Sequence, residues 1–336
     1  MVKTRILFYC LLAVMINCRF DASAQTTEKQ KHPVKMLGAD ISFLPELESR
    51  GKKFSDKGVE KDGIQILKDN GFNYIRLRIF NNPSVDSGYS PGKGFCDLEH
   101  TKQMAKRIKA AGMHFLLDFH YSDYWADPGK QFKPAAWKQL DFAALQKAVH
   151  DFTIEVLAAL REQHTLPDMV QVGNEINHGI LWPDGNATHM DTLAAFLMAG
   201  CKAVRETDPA IILMLHIACG GQNDESRFFL DNMLQRKVPF DVIGESYYPR
   251  WHGTLEDLAN NLNDLATRYD KDIIVVEYSE KKAEVNKIAF NLPNNKGIGT
   301  CIWEPFSWGE KFVDEKGNTN SLMEVYSEAR RLYKIK

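Results

Sequence analysis

Three kinds of protein are excluded by what this chain has little of. Its 42 basic residues are balanced by 44 acidic ones for a net charge of −2, with no basic stripe, which argues against a nucleic-acid partner. The one notable apolar run, Ile6 to Ile16, is half the roughly 20 residues that a membrane-spanning helix needs. Cysteine is sparse: beyond Cys10 and Cys18 near the N-terminus only Cys96, Cys201, Cys219 and Cys301 remain. Cys301 sits in a strand-like run and Cys201 in a helical one, so buried free thiols suit them at least as well as disulfides, and no bridge is assigned. No glycine-rich phosphate loop follows an apolar strand and no zinc spacing occurs, so neither a cofactor nor a metal is expected.

What is present begins with an export pattern. Lys3 and Arg5 precede the apolar run, and Ala22-Ser23-Ala24 offers a small-x-small cleavage site before Gln25. Residues 1–24 therefore read as a signal peptide, residues 25–35 as a polar extension, and residues 36–336 as one catalytic domain. Cys18 is an alternative lipid-anchor site, although Asn17 is a poor residue before it. Either reading places the protein outside the cytoplasm: periplasmic, cell-surface or secreted.

Eight short apolar runs then alternate with helical patterns, without a low-complexity linker. The runs cover Met36–Ser42, Tyr74–Phe80, His114–Phe119, Met169–Asn174, Ile211–His216, Val242–Tyr247, Ile273–Glu277 and Thr300–Trp303. They are continuously apolar, as strands covered on both faces are. Helices are predicted over Lys57–Asn70, Leu98–Ala111, Phe142–Gln163, His189–Thr207, Glu225–Arg236, Thr254–Tyr269 and Asn320–Tyr333. Eight strands with intervening helices specify an α/β fold, a single (β/α)8 TIM barrel, rather than an open doubly wound sheet.

In such a barrel the chemistry gathers where strands end. Here the ends carry Arg78, His120, Asn174-Glu175, His216, Tyr247-Tyr248, Glu277 and Trp303-Glu304. A lone Glu after a valine run is an ordinary solvated strand end, and single histidines or indoles are ordinary packing. Two strand-terminal glutamates on one rim are the equipment of glycoside hydrolysis. Glu175 is assigned as acid/base and Glu277 as nucleophile, the latter held ionised by Arg78 and Tyr248. Asn174 would bind the sugar 2-hydroxyl, and Trp125, Trp182, Trp251, Trp303 and Trp308 would stack on sugar rings.

Longer stretches carry a resemblance across nearly all of the chain after residue 35. They are Gly38-Ala39-Asp40-Ile41-Ser42, Asp118 to Asp123 with Trp125 to Gln131, Val170 to Glu175 with Leu181-Trp182-Pro183, Ser246-Tyr247-Tyr248-Pro249, and Trp303-Glu304-Pro305. Together they resemble the endo-β-1,4-galactanases of glycoside hydrolase family 53, in the clan of barrels with catalytic glutamates on strands four and seven. The resemblance implies a retaining endo-enzyme acting on β-1,4-galactan, with Glu175 and Glu277 as its pair; a monomer is expected. The resemblance also implies Asp40, Arg78, His120, Asp123, Trp125 and Trp303 as substrate contacts, to which the strand ends add Asn174, His216 and Tyr248. Phe80 and Tyr278 depart from the family's Trp and Thr, and only 25 residues separate Glu277 from Trp303. In some bacterial members that segment helps to hold calcium; here Glu280, Glu284, Asn286 and Asn291 are too scattered for an oxygen cage. Alternatives are a clan relative acting on mannan or cellulose, and a non-catalytic carbohydrate-binding barrel.

Overall fold

The computed structural model describes residues 33–336; the predicted signal peptide, Cys10, Cys18 and most of the predicted polar extension lie outside the described residues. Eight parallel strands close into a barrel: β1 (Met36–Asp40), β2 (Tyr74–Ile79), β3 (His114–Phe119), β4 (Met169–Val172), β5 (Ile212–Ile217), β6 (Val242–Tyr247), β7 (Asp272–Tyr278) and β8 (Gly297–Trp303). Each pairs with its neighbours in chain order, and β8 pairs with β1 to complete the ring. Between and after them run α1 (Gly63–Asp69), α2 (Leu98–Ala110), α3 (Phe142–Glu162), α4 (Met190–Thr207), α5 (Asn223–Gln235), α6 (Leu255–Arg268), α7 (Lys282–Phe290) and α8 (Glu324–Leu332). This is the predicted TIM barrel.

One predicted helix was too long. Lys57 and Gly58 both have positive φ, 51° and 79°, and make the turn of a hairpin between Phe54–Asp56 and Val59–Lys61. The helix starts only after Asp62, whose carboxylate caps the Ile64 amide at 2.7 Å. Helical spacing of apolar residues did not reveal that turn. Cys96, Cys201, Cys219 and Cys301 are all buried free thiols.

Burial explains why the strands read as continuous apolar runs. One core fills the barrel interior and includes Met36, Tyr74, Leu116, Met169, Met214, Val242 and Ile274. A second, larger core lies between strands and helices. Inward positions change character along each strand. On β2 the inward series is Tyr74, Arg76, Arg78, and on β5 it is Ile212, Met214, His216, so apolar side chains plug the bottom and polar ones crowd the C-terminal mouth.

The outward side of β6 carries one exception. Glu245 is buried against α5 and α6, accepting from Ser226 Oγ at 3.1 Å and from the Cys219 amide at 3.2 Å. Burial, opposed by these hydrogen bonds, raises its pKa to about 8 from 4.5. A carboxyl with a raised folded-state pKa contributes its full stability below the unfolded value. That contribution is lost as pH climbs from about 4.5 towards 8. Glu245→Gln should therefore match the native protein near pH 4.5 and exceed it above pH 8, by on the order of 2–4 kcal/mol. Urea unfolding at both pH values checks it, and a pH-independent difference would refute it.

Candidate active site

Alternation along β7 would turn Glu277 away from the barrel axis. Ile274 and Val276 belong to the interior core, so position 278 should follow them inwards and 277 should face the helices. Instead the register slips. Glu245 of β6 pairs with Val275 and the next residue, Ser246, pairs with Glu277, leaving Val276 as the extra residue of a bulge. Glu277 thereby faces the mouth, and Tyr278 points outwards to bond Tyr326 at 2.7 Å and Asn286 at 3.2 Å.

Glu175 reaches the same space by another route. Strand β4 stops at Val172, two residues earlier than predicted, because Gly173 adopts φ 87° and Glu175 itself φ 50°. A left-handed conformation at a residue with a side chain costs about 1 kcal/mol or more and persists only where its surroundings impose it. Gln131 supplies that restraint, donating to the carbonyls of Asn174 at 2.8 Å and Glu175 at 3.3 Å. One oxygen of Glu175 and one of Glu277 lie within 4.8 Å of each other. That closeness is in keeping with the roughly 5–5.5 Å between the carboxyl groups of retaining glycosidases.

The two carboxyls differ in what holds them. Glu277 Oε2 accepts from Arg76 Nη1 at 2.9 Å and Oε1 from the Tyr248 hydroxyl at 3.0 Å. Among the described residues Glu175 accepts only from the Ser246 hydroxyl, at 2.7 Å on Oε1. Burial pushes both pKa values up. For Glu277 the Arg76 charge and hydrogen bond oppose that push, whereas for Glu175 the nearby Glu277 charge adds to it, well above the usual range. The proton shared by the pair therefore sits on Glu175, which is the asymmetry an acid and a nucleophile need.

Arg76, two residues before the predicted Arg78, is thus the cation beside Glu277. Arg78 instead bonds Glu304 Oε1 at 2.7 Å and Asp40 Oδ1 at 3.4 Å. Its guanidinium carbon lies 4.4 Å from the ring centres of both Phe43 and Trp125. The sequence held a signal for Arg76: a charge inside the run Tyr74–Ile79, in phase with Arg78, has to find buried partners. Gln171, in the middle of β4, carried the same signal and was also missed.

Other predicted residues divide by exposure. Asn174 borders Glu175, and Tyr248, Trp125 and Trp303 stay partly exposed at the mouth, where the two indoles meet edge to face at 6.1 Å. Asp40, His120, Asp123 and His216 are buried and bonded within the protein. His120 lies 3.1 Å from Asp118 and accepts from the Ala126 amide, while Asp123 accepts from the amides of Asn82 and Ala135 and so pins the loop after β3. Trp251 and Trp308, at 62% and 52% exposure, offer the freest indole faces, beside Tyr248 and Trp303 respectively. Among the described residues one trio, Glu175, His216 and Glu277, could gather metal-ligand atoms. Arg76, Tyr248 and Ser246 already engage them, and a resident guanidinium repels a cation, so the set does not fit a metal.

An eight-stranded parallel barrel whose fourth and seventh strands bring two carboxyls together at the mouth defines the class of barrel glycoside hydrolases. The chain belongs to glycosyl hydrolase family 53, whose pattern matches residues 36–287. It is 47% identical over 256 residues to an uncharacterized protein of Niallia circulans, covering 74% of this chain and 68% of that one. It is 34% identical over 292 residues to an endo-β-1,4-galactanase of Bacillus subtilis, covering 81% and 67%. The GH53 catalytic domain of Ignisphaera aggregans superposes with a TM-score of 0.81 at 34% identity, over 88% of this chain and 96% of that one.

Arg76 generates a directional prediction. Lysine keeps the charge but supplies three donors on a flexible stem, so Glu277 loses part of what holds it ionised. Arg76→Lys should lower kcat/KM by about 100-fold or more and move its acidic limb to higher pH. A pH profile with an unmoved acidic limb would separate Arg76 from Glu277.

Proposed function

We propose that this protein is a retaining endo-β-1,4-galactanase, cutting galactan or type I arabinogalactan within the chain. The single observation that carries the reading is the close pair Glu175 and Glu277, one short of partners and the other held by Arg76 and Tyr248, within a family 53 barrel. The substrate follows from relatives named as galactanases.

Glu277 attacks the anomeric carbon while Glu175 passes its proton to the departing glycosidic oxygen, leaving a glycosyl ester on Glu277. Glu175, now ionised, takes a proton from water, whose oxygen displaces Glu277 and releases the β-anomer. Asn174 supports the ring through the 2-hydroxyl: its Oδ1 faces Arg76 and one amide hydrogen goes to the Ala126 carbonyl, so the other is free for sugar. Residues 36–336 form the catalytic domain of this reading. Export is inferred from the N-terminal pattern of residues 1–24, and no helix among the described residues is long and apolar enough to cross a membrane.

Glu175→Ala and Glu277→Ala should each lower turnover of galactan by orders of magnitude while staying folded. With an activated aryl galactoside, azide should return the β-azide from the Glu175 variant and the α-azide from the Glu277 variant. Reversed products would exchange the two roles, and rapid release from mannan or cellulose but not galactan would refute the substrate.

The exposed indole of Trp308, edge to face with Trp303 at 5.1 Å, is placed to stack on a sugar remote from the bond being cut. Trp308→Ala should lower kcat/KM about 10-fold on long galactan and much less on the shortest cleaved oligomer. Equal losses on both would take Trp308 out of the binding cleft.

A further inference from the structure

Behind Glu175 runs a line of buried polar groups that the reaction above leaves unused. Ser246, fully buried on β6, donates to Glu175 Oε1 at 2.7 Å, and its oxygen lies 2.8 Å from His216 Nε2. His216 on β5 is fully buried as well. Its other ring nitrogen, Nδ1, lies 2.9 Å from Asn174 Oδ1 and 3.0 Å from Gln171 Nε2.

Charge fixes which way the two amides point. Arg76 can only donate, so the atoms facing it, Asn174 Oδ1 and Gln171 Oε1, are oxygens. Asp118 accepts one hydrogen of Gln171 Nε2 at 2.6 Å. The second hydrogen of that amide faces His216 Nδ1 at 3.0 Å, with Asn174 Oδ1 at 3.1 Å and the Gly173 carbonyl at 3.2 Å beside it. Burial, reinforced by the Arg76 charge, keeps His216 neutral, so it carries one ring hydrogen.

With Glu175 ionised, the hydrogens of this line run in one direction. Ser246 has a single hydrogen, and when Glu175 is ionised it must point at the carboxylate. The serine oxygen is then free to accept, and only His216 Nε2 is in place to donate. His216 is therefore the Nε2-H tautomer, and its Nδ1 accepts from Gln171. Glu175 Oε2 has no protein hydrogen-bond partner among the described residues, since the one bond to this carboxyl is on Oε1.

We propose that Ser246, oriented by His216, is a positioning residue for the acid/base step. It holds Glu175 Oε1 as an acceptor in both protonation states, so that the transferable proton resides on Oε2, the oxygen left to the glycosidic bond. The proposal rests on the reading of Glu175 as acid/base. It replaces the expected sugar contact at His216 with a role inside the protein.

The test uses the full chain and a series of aryl β-galactobiosides of graded leaving-group pKa, beside linear galactan. A good leaving group departs without a proton and a poor one does not, so misplacing the proton steepens the dependence on leaving group. Ser246→Ala should lose about 10–100-fold in kcat/KM on galactan and on poor leaving groups, with little loss on the best one and little change in KM. The charged and titratable groups facing the pair are Glu277, Asp127, Arg76, Tyr248 and Cys219 around Glu175, and Arg76, His120 and His252 around His216. Ser246→Ala removes none of them. Loss of the donor should therefore move the alkaline limb of the pH profile to higher pH.

Ser246→Cys, similar in size but a weak donor, should fall between the two, and it carries the test if the alanine variant does not fold. A loss uniform across leaving groups with an unmoved alkaline limb, in either variant, would mark a merely structural serine and overturn the proposal. Glu175→Ala run alongside separates the two readings. If it steepens the dependence and the serine variants do not, only the positioning role fails; if it does not steepen it, the acid assignment itself fails.

Discussion

Arg76 is the constraint on which the mouth of this barrel depends. Its guanidinium donates to Gln171 Oε1, Asp40 Oδ2, Glu277 Oε2, Asp118 Oδ2 and Asn174 Oδ1, at 2.8–3.3 Å, and is 1% exposed. Five planar N–H groups thus meet five acceptors from β1, β3, β7 and the β4 strand and turn. Burying a cation with three carboxylates is tolerable only because each group is paired, and deleting one member would strand the others in a medium that solvates them poorly. The arrangement therefore fixes the relative positions of four strand ends and, through Glu277 and Asn174, the substrate-facing groups.

The same cation separates the chemistry of two otherwise equivalent glutamates. Both are buried, and burial alone would protonate both. Arg76 and Tyr248 act on Glu277, and the charge thus retained there raises Glu175 further. In the proposed reaction, acid and nucleophile are therefore set apart by one another's charge and by a single asymmetrically placed guanidinium. Arg78, one inward step further along β2, does different work. Packed between Phe43 and Trp125 and bonded to Glu304, it stiffens the aromatic wall on which a sugar would rest.

Local backbone irregularity completes the site. The bulge at Val276 and the left-handed turn at Glu175 each break a regular strand at its last residues, which brings the two carboxyls within reach. Regular alternation at Val276 would have pointed Glu277 into the helix layer, where no substrate comes. The departures that build the site lie at the mouth, while a separate register slip against β8, between Ile273 and Ile274, lies lower in the barrel.

The sequence by itself determined the architecture and the reaction class. Continuous apolar runs at regular spacing leave few options besides a parallel barrel, because buried strands must be apolar on both faces and only crossover helices can cover them. Strand-terminal Glu175 and Glu277 pointed to a glycosidase because chemistry collects at strand ends, and the resemblance carried by the Asp118–Gln131 stretch pointed to the family. Tertiary structure alone decided which arginine meets Glu277, which way that glutamate faces, and that His216 lies behind Glu175 with both nitrogens engaged inside the protein. A one-residue change of register inverts inside and outside, and a buried cation's partners come from strands up to two hundred residues apart, so neither is written in local spacing.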